Sequence, residues 1–364
     1  DGMGAPVHLQ LAEFIAVSGP ILVEGRTTAA NPVHKAISIA EGRNEANAKT
    51  YFGSSPEPGS LVTTSSSTIT LRGNSAMFKD ATLDNRAVVN TSGTFTFEPT
   101  SASFSEPESL EGWVLNAANV VFGKAGNSSV LQTNEGISVS GEVTIYGGNV
   151  TVNQAITASS AVTVIADAVT VSATTNTAQG VLTMRPQTSG VAIDLGTETS
   201  GRMSLTQTEI NLLTAQTVRI GASNSGGISV SAAVTFASNK FTNVRLTTPG
   251  NVTGNFVITA ANLAIDAGGN VNLPGSNSVA GNIAISASAS VTYSSAVSYS
   301  PAVVDGVNAV FGVGRAISLT NSPSVEQANE FLAVTFNPPP QVLVRDAYNI
   351  VLDGNNRRSE ERRV

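Results

Sequence analysis

Short stretches in which every second residue is Val, Ile or Leu recur along this chain, separated by Gly, Asn, Ser and Thr with almost no charge. In Val150-Thr-Val152, Val162-Thr-Val164, Val169-Thr-Val171 and Ile228-Ser-Val230, a β-branched apolar side chain alternates with a small hydroxyl. A period of two marks a strand with one face in a core and the other in solvent. The clearest run covers residues 136–235, and the pattern continues through 241–247, 256–258, 262–266, 269–273, 281–286 and 290–293.

The spacing selects the architecture. Val169 follows Val150 by nineteen residues, and Ile283 follows Leu263 by twenty. A return after about twenty residues falls in the solenoid range. One such coil holds two or three short parallel strands and buries its apolar positions only when other coils stack on it. The expected fold is therefore all-β, a right-handed parallel β-helix (β-solenoid) over residues 101–300. The register is not uniform, since Val162 and Val169 are only seven residues apart, and a β-sandwich is the competing arrangement.

The ends depart from the pattern. Residues 1–100 read as an irregular β-rich region or cap, with strands expected at 7–11, 21–23, 68–72 and 94–98 and a loop at Pro56-Glu-Pro-Gly-Ser60. Residues 301–364 read as a C-terminal cap. In it, Ser324-Val-Glu-Gln327 fits a capping box before a short helix, Pro338-Pro-Pro340 breaks the chain, 342–344 and 350–352 suggest two last strands, and 355–364 form a charged tail. The Gly-Asn pairs at 148, 269 and 281 suit corners with left-handed backbone angles. Stacked Asn149, Asn270 and Asn282 are expected to form amide ladders, a structural role.

Only 12% of the 364 residues are charged and 5% are aromatic, against 41% hydrophobic and 33 glycines, which suits a thin aliphatic core with many turns. The net charge of −7, with no stripe of Lys or Arg, argues against nucleic acid and anionic membranes as partners. Without cysteine, disulfides and thiolate zinc sites are excluded. No apolar run is long enough to cross a bilayer as a helix. No signal-peptide pattern opens the chain at Asp1, which reads as a processed chain or a fragment.

Candidate chemistry is sparse, and neither a catalytic site nor a cofactor or metal site is expected. Carboxylate hydrolysis of glycans needs paired acids. Between residues 125 and 240 the acids are Glu135, Glu142, Asp167, Asp194, Glu198 and Glu209; Asp194 and Glu198 are the closest pair, and a turn at Gly196 reads them as surface charges. A lyase needs a Lys or Arg base beside calcium-binding carboxylates, whereas Arg185, Arg202 and Arg219 stand singly. His8 and His34 alone cannot make a three-ligand zinc site and lack His-x-x-x-His spacing; Glu13 could join them, but no metal site is expected. Trp113, which could stack on a sugar, reads better as core. The Asn-x-Ser/Thr triplets at 90, 127, 149 and 251 are expected by chance in such a composition.

Residues 196–235 carry a phrase in which Leu205, Glu209, Leu213, Thr214, Ala215, Val218, Arg219, Ile220 and Gly221 precede Gly227-Ile-Ser-Val230. This resembles the repeats of large filamentous-haemagglutinin-like exoproteins of bacteria, closely over those forty residues and diffusely over 137–293. The resemblance does not cover the first hundred residues or the last sixty. It implies a right-handed parallel β-helix, export through an outer-membrane secretion partner, and work in adhesion or biofilm. The asparagine-proline secretion signature of such proteins is not evident, because Asn31-Pro32 is followed by Val33-His34.

The expected function is thus a secreted, extracellular or cell-surface adhesin or biofilm matrix protein acting through its surface on a host or bacterial glycan or protein. One alternative is a self-assembling filament subunit whose residues 1–100 meet those after 300 of the next copy, the tail at Arg357–Arg363 docking on an acidic patch at 106–111. The other is a β-helix polysaccharide lyase or hydrolase.

Overall fold

The structure, a computed structural model, describes residues 19–25, 67–75, 89–111, 115–177 and 179–296 in full, and the main chain of several strands beyond them. The chain divides into two compact units, Asp1–Gly180 and Val181–Val364.

In the first unit the alternating segments become strands, each lying parallel to the strand one coil away. Glu142–Val152 pairs with Ala161–Val171, and Val150 sits opposite Val169, the two residues whose spacing set the expected coil length. Ile137–Val139 pairs with Ile156–Ala158, which pairs with Thr175–Asn176. Val130–Thr133 lies between Glu108–Leu110 and residues 149–152. A single coil therefore lays down three sides, and the fold is a parallel β-helix. A sandwich would set antiparallel strands side by side, and among the described residues of this unit the pairings are parallel.

Parallel stacking reaches ahead of residue 101. Ile21–Gly25 pairs with Ile69–Gly73, this with Ala87–Glu98, and that in turn with Trp113–Phe122. The coil shortens along the unit, from twenty-six residues (Ile69 to Phe95) to twenty-three (Val120 to Val143) and nineteen (Val143 to Val162). The filling changes with it. Phe97 stacks on Phe122 at 5.5 Å and meets Phe104 at 4.9 Å in the wide coils, whereas Val143, Ile145, Val150, Val162 and Val164 fill the narrow ones. Large rings are needed where the cross-section is larger, because an unfilled void loses its contacts.

The seven-residue spacing of Val162 and Val169 has a local cause. Val143 and Ile145 point inward and so do Val150 and Val152, which unbroken alternation forbids. The phase changes at Gly148, where pairing with the next coil skips one position, so one long strand turns a corner and serves two sides.

The Gly-Asn corners work differently from the expectation. Gly148, Gly269 and Gly281 do not have left-handed angles. Instead a Cβ at Gly148 would collide with the Ser128 carbonyl, and at Gly269 or Gly281 with Oδ1 of Asn251 or Asn262 one coil earlier. The space left by the missing Cβ lets that oxygen accept the next N–H: Asn270 donates to Asn251 at 2.8 Å, and Asn282 to Asn262 at 2.8 Å. Asn119 does the same for Glu142, which follows Gly141. Asn149 does not join a ladder, since its neighbours in register are Val130 and Ala168.

The second unit repeats the scheme. Val181–Arg185, Leu213–Gly221, Phe241–Thr248, Asn262–Ala267, Ile283–Ala287 and Ala302–Asp305 stack in parallel, with Leu263 opposite Ile283 as the spacing requires. A second side runs through Ile193–Gly196, Ile228–Val230, Val252–Gly254, Val271–Val279, Val291–Ser295 and Val310–Gly312. Most coils here are nineteen to twenty-six residues long, but Leu182 to Val218 takes thirty-six. The surplus makes an excursion in which Ile193–Gly196 is followed, after a six-residue loop, by the parallel strand Met203–Thr206 and the single-turn helix Gln207–Ile210.

Val344–Arg345 and Val351–Leu352 form a small antiparallel pair near the two strands expected at the C-terminus. The expected helix after Ser324, Pro338–Pro340, the charged tail, the loop at Pro56, Asn31-Pro32 and His34 lie outside the described residues, as do the side chains of His8, Glu13 and Trp113.

Candidate functional site

The excursion gathers three acids that are scattered in sequence. Ile193 and Leu195 point into the core, so Asp194 points outward on its strand. It is nevertheless only 3% exposed, because the loop 197–202 folds over it. Thr199 Oγ1 donates to Asp194 Oδ2 and Ser231 Oγ to Oδ1, both at 2.5 Å. Thr197 closes the loop by donating its N–H to Ser231 Oγ at 3.1 Å, and Arg202 Nη1 reaches Ser229 Oγ at 2.8 Å. The reading of Asp194 as a surface charge is therefore wrong: each of its oxygens accepts from a hydroxyl, and a buried carboxylate so bonded is tolerated.

Glu209 is held by a capping box. Its N–H donates to Thr206 Oγ1, and its Oε2 accepts from Thr206 N–H at 2.8 Å and from Thr206 Oγ1 at 3.0 Å. Glu198, on the loop, is exposed, as the surface-charge reading expected of it, and its carboxyl lies near that of Glu209. Partial burial raises the pKa of Glu198 above the usual glutamate value, helped by the charge of Glu209, their mutual hydrogen bond and the charge of Asp194. The carboxyls of Glu198 and Glu209 are thus near enough to one another to interact directly. A glycosidase pair instead stands roughly 5–9.5 Å apart to admit the sugar. The cluster fastens the loop down.

The basic residues are not all solitary. Arg219 stands in register with Arg245 on the adjacent strand, and Arg245 Nη2 lies 3.5 Å from Asp266 Oδ2. Among the described residues, no three carboxylate or imidazole groups converge as metal ligands. Of the acidic patch at 106–111, Glu108 is buried at 4% exposure and presents no charge to a docking tail.

A different feature lies on the outward face of the first unit. Leu22, Thr70, Thr96, Val121, Thr144 and Thr163 stand opposite one another on six successive strands. Beside this column lies another, in which Asn119 Nδ2 points to Thr94 Oγ1 at 3.4 Å and Asn119 Oδ1 holds the Glu142 N–H at 2.8 Å. The two columns border a 380 Å³ groove lined by Thr94, Asn119, Val121, Glu142, Thr144 and Ser160.

No family model, curated protein or solved structure matches the chain. The likeness of residues 196–235 to exoprotein repeats accordingly rests on those residues alone. Structurally, the Leu205-Thr-x-x-Glu209-Ile phrase is the capping box with its flanking core residues, Leu205 and Ile210. Sequence reasoning noted Glu209 but missed this role, although Thr206-x-x-Glu209 carries the capping-box spacing. It had no signal for the groove, whose lining comes from four coils.

Proposed function

We propose that the chain works by surface contact: a secreted adhesin or extracellular matrix protein that holds a host or bacterial surface glycan or protein. The single observation that supports this reading is the outward face of the first unit, where Thr70, Thr96, Thr144 and Thr163 repeat in register on parallel strands, in one column with Leu22 and Val121 and beside an ion-paired row of Glu24, Arg72 and Glu98. Rigid, pre-ordered side chains bind an extended partner with little loss of conformational freedom. The likeness of residues 196–235 to bacterial exoprotein repeats points the same way, and export through an outer-membrane partner is part of this proposal. The acidic cluster contributes stability to a coil.

The test is adherence of the purified chain to bacterial and epithelial cells, with uronate release from pectin and alginate assayed alongside. Saturable cell binding without uronate release is the expected outcome. Release that is lost in Asp194→Asn or Glu198→Gln would replace this reading by a polysaccharide lyase or hydrolase.

A further inference from the structure

We propose that the groove on the first unit is a binding subsite for an extended chain of uncharged pyranose sugars, lying across the coils. This rests on the surface-contact reading above and names the partner of that face.

The direction of the groove sets the shape of the ligand. Thr94, Asn119 and Val121, Glu142 and Thr144, and Ser160 come from four successive coils. The groove thus crosses the strands and spans three coil steps, about 14 Å at ordinary strand spacing. An extended oligosaccharide has that shape, and its hydroxyls recur along its length as the coils do.

The lining sets its chemistry. Hydroxyl, amide and carboxylate groups both match sugar hydroxyls and fix their orientation, and Val121 offers an apolar floor to the C–H face of a ring. Asn119 prepares the site: by donating to Thr94 Oγ1 it leaves the Thr94 hydroxyl hydrogen free to point outward as a donor. Asn119 also pins Glu142 through its main-chain N–H, leaving the carboxylate to accept from a sugar. No Lys, Arg or His lines the groove. Sulfated, phosphorylated or uronate chains would meet Glu142 with no cation to offset it, in a protein of net charge −7.

The experiment titrates the full chain with cellotetraose, laminaritetraose and chitotetraose, and with tetragalacturonate as the anionic comparator, by calorimetry. Thr144→Val is the variant, since Val121 already occupies the same column and the fold accommodates it; Thr170→Val, on another exposed position of the same unit, is the control. At least one neutral tetrasaccharide should bind in preference to tetragalacturonate, and Thr144→Val should weaken it about tenfold, the worth of one hydrogen bond. Thr170→Val should leave it unchanged. The proposal is overturned if none of the neutral sugars binds, if tetragalacturonate is preferred, or if the two variants behave alike. Cell adherence, measured in parallel, separates this from the wider reading. Binding to cells through a protease-sensitive receptor with no affinity for sugars sinks the groove and leaves the adhesin, whereas sugar binding without adherence does the reverse.

Discussion

Asn277 ties three coils together, and replacing it with Asp tests how strongly. The side chain is fully buried, in the strand Val271–Val279 where pairing with the next coil shifts register. Its Oδ1 accepts the Ile258 N–H at 2.9 Å from the preceding coil. Its Nδ2 donates to the carbonyls of Leu273 (3.1 Å), Gly275 (2.9 Å) and, in the following coil, Ser294 (2.9 Å). Asn277→Asp keeps the shape and the acceptor but turns the donor into a second oxygen facing three carbonyls. At pH 7 this leaves an uncompensated buried carboxylate, and removing the partner of a buried charge costs about 3–5 kcal/mol. Burial among carbonyl oxygens raises that carboxyl's pKa, so the folded variant holds its proton to higher pH than the unfolded chain does. Its stability deficit therefore shrinks as pH falls from 7 towards 4, by up to about 1.4 kcal/mol per pH unit. The assay is urea unfolding of variant and parent at each pH, with hydrogen exchange at the Ile258 amide as the local reporter, since stacked coils need not unfold in one step. A deficit below about 1 kcal/mol at pH 7, or one unchanged at pH 4, would refute the reasoning.

Val150→Asp should cost several kcal/mol and expose the adjacent coils to exchange, because Val150 is fully buried between Leu131 and Val169; urea unfolding checks it. Gly148→Ala should destabilise by about 1–3 kcal/mol, since its Cβ meets the main chain of Ser128. Gly136→Ala, with only an ordinary contact at 3.7 Å, should lie within about 0.5 kcal/mol of the parent. Glu198 has a folded-state pKa above its unfolded value of 4.5. Its contribution to holding the loop 197–202 is thus fully present below pH 4.5 and is lost as pH rises through the raised value. Exchange protection of Thr197 and Thr199 should fall over that window, and Glu198→Gln should abolish the dependence.

The alternation of Val, Ile and Leu with small hydroxyls, returning after nineteen or twenty residues, by itself determined the strands, the inward set including Val150, Val162, Val169 and Ile228, and the parallel stacking. Each of these follows from rules acting within one strand or between consecutive coils of equal length. What only the tertiary structure decided depends on coils of unequal length and on corners that reset the phase. The step from Leu182 to Val218 carries an excursion whose loop covers Asp194, brings Glu198 to Glu209 and turns an outward position into a buried one. Similarly, Gly148 and Gly269 are glycines because of the atoms one coil away, Ser128 O and Asn251 Oδ1, and not because of their own backbone angles. The groove likewise joins Thr94, Asn119, Glu142 and Ser160 through offsets that shrink from one coil to the next. A period-two pattern says which face a side chain takes within its own strand; which residues share that face across the coils is set by the length of every intervening turn.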